Sequence, residues 1–569
     1  MMTKLRSLLV LLALAVSMGA AAQSYPQYGK PVDYPIQLSA TFGELRPNHP
    51  HSGLDIKTQG VEGKKVYAVA DGYVSRIGVS PYGYGNVLYV THYDGYTTVY
   101  AHLQRFKGDI AKYVKQNQYK NKRYTVQIYP EKDQFPVKKG DVIAYSGNTG
   151  GSGGPHLHFE IRDVNERPVN PMFFGYNVED NIRPVIRGVL VYPLGDESTL
   201  EDGINPLFFS LDEGKNGRYN LKECEFVHGN GELSFGVCTY DLVGTSTNKD
   251  GPYYYELYLD DELAFQVEAD CFSYSEQRYV NSLIDYRHYK EKKVSYVRTD
   301  IDSNNKLRMI KKKNGTVKVA EGDTVNVCFK ISDYMGNSST ASFKLVGVAP
   351  VEVERPEHRR SEYFVKADGS LNNNITIDDF NVSMEDGTLF RDEWIPTGQR
   401  DETGCCSRIY RFGDEGMTTF KKFTVRIRPN EEWASNSKLY IASIDNNGKV
   451  SSLGGKMING WMEVKTYTMG EYTIKVDSVA PTVKASNFKD GQSVKALKSL
   501  RFKISDDMTG IETYNIYLDD VWVLGQYDAK NNLLYYEFDE KMKKGTNNVK
   551  VVVTDGVGNK KTLKVKAVY

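Results

Sequence analysis

Gly154-Pro155-His156-Leu157-His158-Phe159-Glu160-Ile161-Arg162 alternates polar and apolar side chains without a break from His156 onward. In a β-strand successive side chains point to opposite faces. His156, His158, Glu160 and Arg162 then share one face, and Leu157, Phe159 and Ile161 share the other. The apolar face belongs in a core. Two imidazoles side by side on the polar face are costly if both are charged, but natural around a metal. The preceding run, residues 150–154, is four glycines and Ser152, which lets the backbone turn sharply into the strand. No Gly-Lys-Ser/Thr follows it, so it is not a phosphate loop.

Two other segments hold histidines of the same kind: His51-Ser52-Gly53-Leu54-Asp55 and Tyr100-Ala101-His102-Leu103. Gly53 weakens a helical reading of the first, so a loop leading into a strand is expected there. His51 and Asp55 offer an imidazole and a carboxylate, both good zinc ligands, and a catalytic zinc takes three protein ligands plus an open position. Alone, either short motif is more often structural or accidental. Six of the nine histidines nevertheless fall before position 160, in a stretch that reads as β-rich from 25 to 174. Short apolar runs at 66–70, 87–90 and 142–145 are separated by glycines and by the turns Asp71-Gly72 and Asp94-Gly95. No helical period of convincing length interrupts them. His92 reads as a satisfied structural histidine, and His49 lies out of register with Asp55. His228, His288 and His358 are isolated and carry no assigned role.

Over residues 38–171 these segments resemble the lysostaphin/LytM family of zinc peptidases, many of which are peptidoglycan endopeptidases. The matching pieces are Phe42-Gly43, residues 51–55, Asp71-Gly72, residues 100–103, 139–143, 147–150 and 154–160. The resemblance implies His51, Asp55 and His158 as ligands of one Zn2+, and His102 and His156 as the catalytic pair. It implies peptidoglycan as substrate. All five side chains are present, which sets the chain apart from degenerate, non-enzymatic members. No HExxH glutamate is available as base, so an imidazole beside the metal must manage the proton, and either histidine of the pair can take it first. A non-catalytic regulator of another wall hydrolase, a surface-binding protein with a vestigial peptidase and a peptidase acting on exported proteins are the competing readings.

Beyond residue 175 the chain repeats itself. Tyr258-Leu259-Asp260-Asp261 recurs at Tyr517-Leu518-Asp519-Asp520, and Asp333-x-x-Gly336-Asn337 recurs at Asp555-x-x-Gly558-Asn559. Val348-Ala349-Pro350 and Val479-Ala480-Pro481 look like module junctions. The expected fold is mainly β, with a LytM-type peptidase domain at 23–175 followed by β-sandwich, immunoglobulin-like modules at 180–346 (with an insertion), 347–477 and 478–569. The Asp-x-x-Gly-Asn turns lack the regularly spaced oxygen ligands of a calcium loop and read as hairpin turns. Cys224, Cys238, Cys271 and Cys328 could pair within one module, and adjacent Cys405 and Cys406 would form a strained ring.

Lys4 and Arg6, an apolar run from 8 to 16 and small residues up to Ala22 have the order of a secretory signal peptide at 1–22. Export to the periplasm, with no transmembrane anchor after cleavage, is therefore expected. Lysine plus arginine and aspartate plus glutamate both number 72 in 569 residues. That balance excludes a broad polyanion-binding surface, so nucleic acid is not an expected partner. Other envelope proteins are expected partners of the C-terminal modules. One stretch departs from the family: residues 105–136 form a lysine- and arginine-rich insertion rooted beside His102. It reads as either a solvated loop or a flap over an acidic substrate.

Overall fold

The computed structural model describes residues 24–201, 203–353 and 361–569; the signal peptide expected at 1–22 and His358 lie outside them. The chain is mainly β. Among the described residues no helix is long and apolar enough to cross a membrane, and the six cysteines are unpaired.

The alternating stretch at 156–162 becomes an interior strand of a nine-stranded sheet, flanked by Leu54–Lys57 on one side and Thr97–Ala101 on the other. Leu157, Phe159 and Ile161 are wholly buried together with Leu54, Ile56 and Tyr100. On the polar face His158, Glu160 and Arg162 are buried as well, Tyr274 of a later module lying against the last two, while His156 is half-buried. A smaller sheet of Lys65–Tyr67, Val142–Tyr145 and Arg105–Phe106 lies beside the first.

The insertion contains a 14-residue helix, Gly108–Asn121, where no helical period was expected. Its buried stripe is Ile110, Val114 and Gln118, spaced by four. Only two of those residues are apolar, so the stripe is masked in a lysine-rich segment. The helix ends on Lys122 in the left-handed region, φ 47°.

Residues 185–347 form an eleven-stranded sheet whose core is continuous with that of the peptidase domain. Phe42 packs on Phe272 at 5.8 Å between centroids, and Phe173 on Tyr334 at 6.0 Å. A Cβ on Gly43 would meet Ala269 at 2.6 Å, so the two domains touch at backbone distance. Residues 362–476 and 482–568 each place two sheets around a core of their own. The repeated Asp-Asp pairs are two-residue hairpin turns with both residues at positive φ: 47° and 65° at Asp260 and Asp261, 45° and 63° at Asp519 and Asp520.

The four domains close into a ring. Tyr279 of the first module stacks on Phe420 of the second at 4.0 Å. Lys438 of the second donates to the Val557 carbonyl of the third at 2.9 Å. The third returns to the peptidase domain, where Lys115 pairs with Asp539 at 3.0 Å and Tyr119 meets Trp522 edge-on at 5.4 Å. The basic insertion therefore faces an acidic patch of the last module instead of standing free as a flap.

Candidate active site

Strand register assembles the site. His158 pairs directly with Asp55 on one side and with Ala101 on the other. Residues opposite each other on antiparallel strands share a face, so Asp55 and His158 converge and His102 follows from the next position. Asp55 Oδ1 lies 3.2 Å from His51 Nε2 and 2.8 Å from His158 Nδ1, and those two nitrogens are 3.1 Å apart. The other nitrogen of each ring is engaged outward: His51 Nδ1 with the Thr41 carbonyl at 2.7 Å, His158 Nε2 with Glu160 at 2.9 Å. A proton on the outward nitrogen leaves both inward nitrogens as bare donors of an electron pair. Two such nitrogens and one carboxylate oxygen, within 4.8 Å of one another, fit a three-ligand metal site.

Electrostatics support the same reading. Burial opposes the charge on Asp55, but the surrounding rings, His51 first and then His156 and His158, hold its carboxyl well below the usual range. Burial also opposes charge on His158, yet hydrogen bonds to Asp55 and Glu160 raise it to about 9.

His102 and His156 face each other across the opening, ring centroids 4.8 Å apart. His102 Nδ1 is 2.9 Å from the Thr149 carbonyl, and His156 Nδ1 is 2.9 Å from that of Gly154. Both rings are thus held with Nδ1–H outward and Nε2 bare, the latter 3.5 Å from Asp55 Oδ1 in His156. Burial, then His158 and His156, push His102 down to about 3, so it is a neutral imidazole. Its backbone φ of 56° is rare for a residue with a Cβ. The Thr149 contact and a backbone hydrogen bond from His102 N to the Tyr84 carbonyl hold it there.

Behind His158 lies a network whose partners short motifs did not reveal. Glu160, wholly buried, accepts from Ser52 at 2.7 Å, from Tyr84 and from Arg162 Nε at 2.8 Å. Tyr274 of the first module completes it, within 3.1 Å of Glu160 and of Tyr84 and 2.8 Å from Arg162. Alternation along the strand places Glu160 and Arg162; nothing local points to Tyr274. His92 is a satisfied structural histidine, bonded to Thr98 and the Asp71 carbonyl. His49 lies outside the ligand cluster.

The glycine-rich loop forms one wall. Ser152 Oγ is 3.2 Å from His156 Nδ1, and Lys530 of the last module donates to Asn148 Oδ1 and the Ser152 carbonyl, each at 2.9 Å. A polar cavity of about 650 Å³ runs between this loop, the insertion helix and the last module, lined in part by Gln104, Arg105, Thr149, Asp528 and Tyr535.

Residues 49–119 and 121–171 match the sequence profile of Peptidase family M23, and 363–477 that of a Zu5-like domain. An uncharacterized metalloprotease of Haemophilus influenzae is 35% identical over 149 residues, 24% of this chain and 26% of its own. The DD-carboxypeptidase/endopeptidase Mpg of Neisseria meningitidis is 35% identical over 143 residues, with the same coverage. The murein hydrolase activator NlpD of Escherichia coli is 32% identical over 148 residues, 26% of this chain and 30% of its own. The chain thus spans about a quarter of the length of these curated relatives.

Proposed function

We propose that this chain, whose residues 49–171 form a domain of peptidase family M23, is an exported zinc endopeptidase that hydrolyses peptide bonds in peptidoglycan cross-links or stems. The observation that carries the reading is the convergence of His51, Asp55 and His158 directly beside the bare Nε2 atoms of a second histidine pair. His51, Asp55 and His158 would hold a zinc ion, which would supply the Lewis acidity that acidifies water and polarises the scissile carbonyl. His102 and His156 do the proton work. With Nδ1–H tied to a backbone carbonyl, the Nε2 of one ring accepts a proton as the water oxygen adds to the scissile carbonyl carbon, and that proton passes to the amine nitrogen as the C–N bond breaks and the oxyanion reforms the carbonyl; the other ring, in its neutral form, holds the water in line. Thr149 and Gly154 fix the ring planes, so little reorganisation accompanies transfer. Glu160 holds the His158 tautomer and Asp55 lowers the net charge of the ligand set.

The similarity to NlpD supports a second reading, activation of another wall hydrolase without catalysis. The complete side-chain set favours the enzyme. Digestion of purified peptidoglycan with the zinc-loaded chain, fragments identified by mass spectrometry, separates the two. Wild type should release cut peptides; His158→Ala should lose metal and activity together. His102→Ala and His156→Ala should keep zinc and lose turnover by at least about 100-fold. Intact wall with a zinc-loaded wild type, together with stimulation of a separate hydrolase, would favour the activator. Cleavage of envelope proteins with intact wall would move the substrate to exported proteins.

A further inference from the structure

We propose that Asp180, Asp241 and Asp333 form a binding site for one hard divalent cation of the calcium class, at the joint between the peptidase domain and the first module. The three residues are far apart in sequence, yet one carboxylate oxygen from each lies within 4.8 Å of the others, and all three side chains are buried. They line a small cavity of about 30 Å³, which Thr41 and Leu54 of the peptidase domain close from the other side. That volume suits a single ion or water.

Proximity of acids alone would not make a site. Asp241 adds the second observation: it is 2% exposed, and its Oδ1 has no hydrogen-bond partner among the described residues. Leaving a buried carboxylate oxygen bare is costly unless a cation or proton meets it. The neighbouring charges do not help, since Asp333, Asp180 and Asp250 all have the same sign; burial first, then these neighbours, push the Asp241 carboxyl up to about 8. The donors are all oxygen, with no imidazole or thiolate in the cluster, which selects a hard cation over zinc.

The repeat supplies an internal comparison. Asp477, Asp506 and Asp555 occupy the equivalent place in the last module and also approach within 4.8 Å. There Asp506 Oδ2 accepts from the backbone N–H groups of Met508, Thr509 and Gly510, and Asp477 Oδ2 accepts from the Thr509 hydroxyl at 2.7 Å. None of the three has a buried oxygen without a partner among the described residues. The Asp-x-x-Gly-Asn turn itself closes alike in both modules, Asn337 donating to Asp333 and Asn559 to Asp555; the difference is that Asp506 is capped by backbone N–H groups, whereas Asp241 keeps an orphan oxygen.

The test uses the full chain, saturated with zinc so that the histidine site is filled, and calcium chloride as the probe. Titration calorimetry should show one calcium site, and thermal unfolding should shift upward by several degrees with calcium. Asp241→Asn and Asp180→Asn should each abolish both the heat and the shift, while Asp506→Asn should leave both unchanged. No calcium-dependent heat or shift in the wild type overturns the proposal, whatever the variants do. So does an Asp241→Asn protein that binds calcium as the wild type does, or loss of binding in Asp506→Asn alone.

Discussion

The first and the last module both touch the peptidase domain, but they hold it by different physics. The first shares its apolar core: Phe42, Phe272, Ala269 and Met309 lie in one buried cluster with the sheet that carries the site. Burying each large apolar side chain is worth roughly 1.5–3 kcal/mol, so this joint is part of the fold. The last module has its own core and meets the peptidase domain through a small apolar contact around Leu524 and Trp522 and through polar contacts, Lys115 with Asp539 and Lys530 with the glycine-rich loop. Polar contacts of that kind are worth about 0–1 kcal/mol each and weaken with salt. One module is inseparable from the peptidase domain, then, and the other is a more loosely held wall of its cleft.

The largest effect expected from this contrast concerns truncation. A chain ending at Phe174 would expose the shared core, so it should be insoluble or fail to give a cooperative melt. A chain ending near Pro350 should stay soluble, bind zinc and cut a soluble muropeptide. A stable, active 24–174 fragment in calorimetry would break the comparison outright.

Tyr274 tests how far the first module reaches into chemistry. Its hydroxyl is the module's contribution to the Glu160–Arg162 network behind His158. Partners of metal-bound histidines typically matter about 10- to 100-fold in metal affinity or activity. Tyr274→Phe should lower zinc affinity or kcat toward the low end of that range with the melting temperature little changed. Unaltered zinc binding and turnover would reduce the module's role to packing.

For the last module the expected changes are smaller. Lys530→Ala combined with Asp539→Ala should loosen the wall, changing KM on intact peptidoglycan a few-fold while leaving kcat on a soluble muropeptide alone. The wild-type KM should depend on ionic strength and the variant's should not. A kcat loss with no KM change would mean that the last module helps to position the catalytic pair.

The smallest effect is a pH dependence of that clasp. Burial raises the Asp539 carboxyl, but hydrogen bonds from Tyr119, Tyr536 and Lys115 outweigh it and leave it below its ordinary value. A depressed carboxylate contributes stability that is present above its unfolded pKa and is lost as pH falls through the folded one. The clasp should therefore be intact at neutral pH and open only below about pH 4. Small-angle scattering across pH 3–7 checks this, and opening between pH 5 and 7 would point to another group.

Most of the site was legible as sequence. A strand's two-residue period placed His156, His158 and Glu160 on one face. His51, Asp55 and His102 were found as short local motifs, and the LytM resemblance gave them roles. The repeats were legible for the same reason: Asp-Asp and Asp-x-x-Gly-Asn turns are local backbone chemistry. The helix at Gly108–Asn121 was missed because its stripe has only two apolar residues, Ile110 and Val114.

What sequence determined by itself was therefore local: strand periodicity, turn chemistry and the short motifs that hold the five candidate site residues. Tertiary structure alone decided that His158 sits opposite Asp55, that Tyr274 stands behind Glu160 from 114 positions away, and that Asp180 and Asp241 meet Asp333. Register and domain docking arise from the summed burial of many side chains on separate strands. No short window of residues encodes that sum, so partners brought together across it leave no spacing to read.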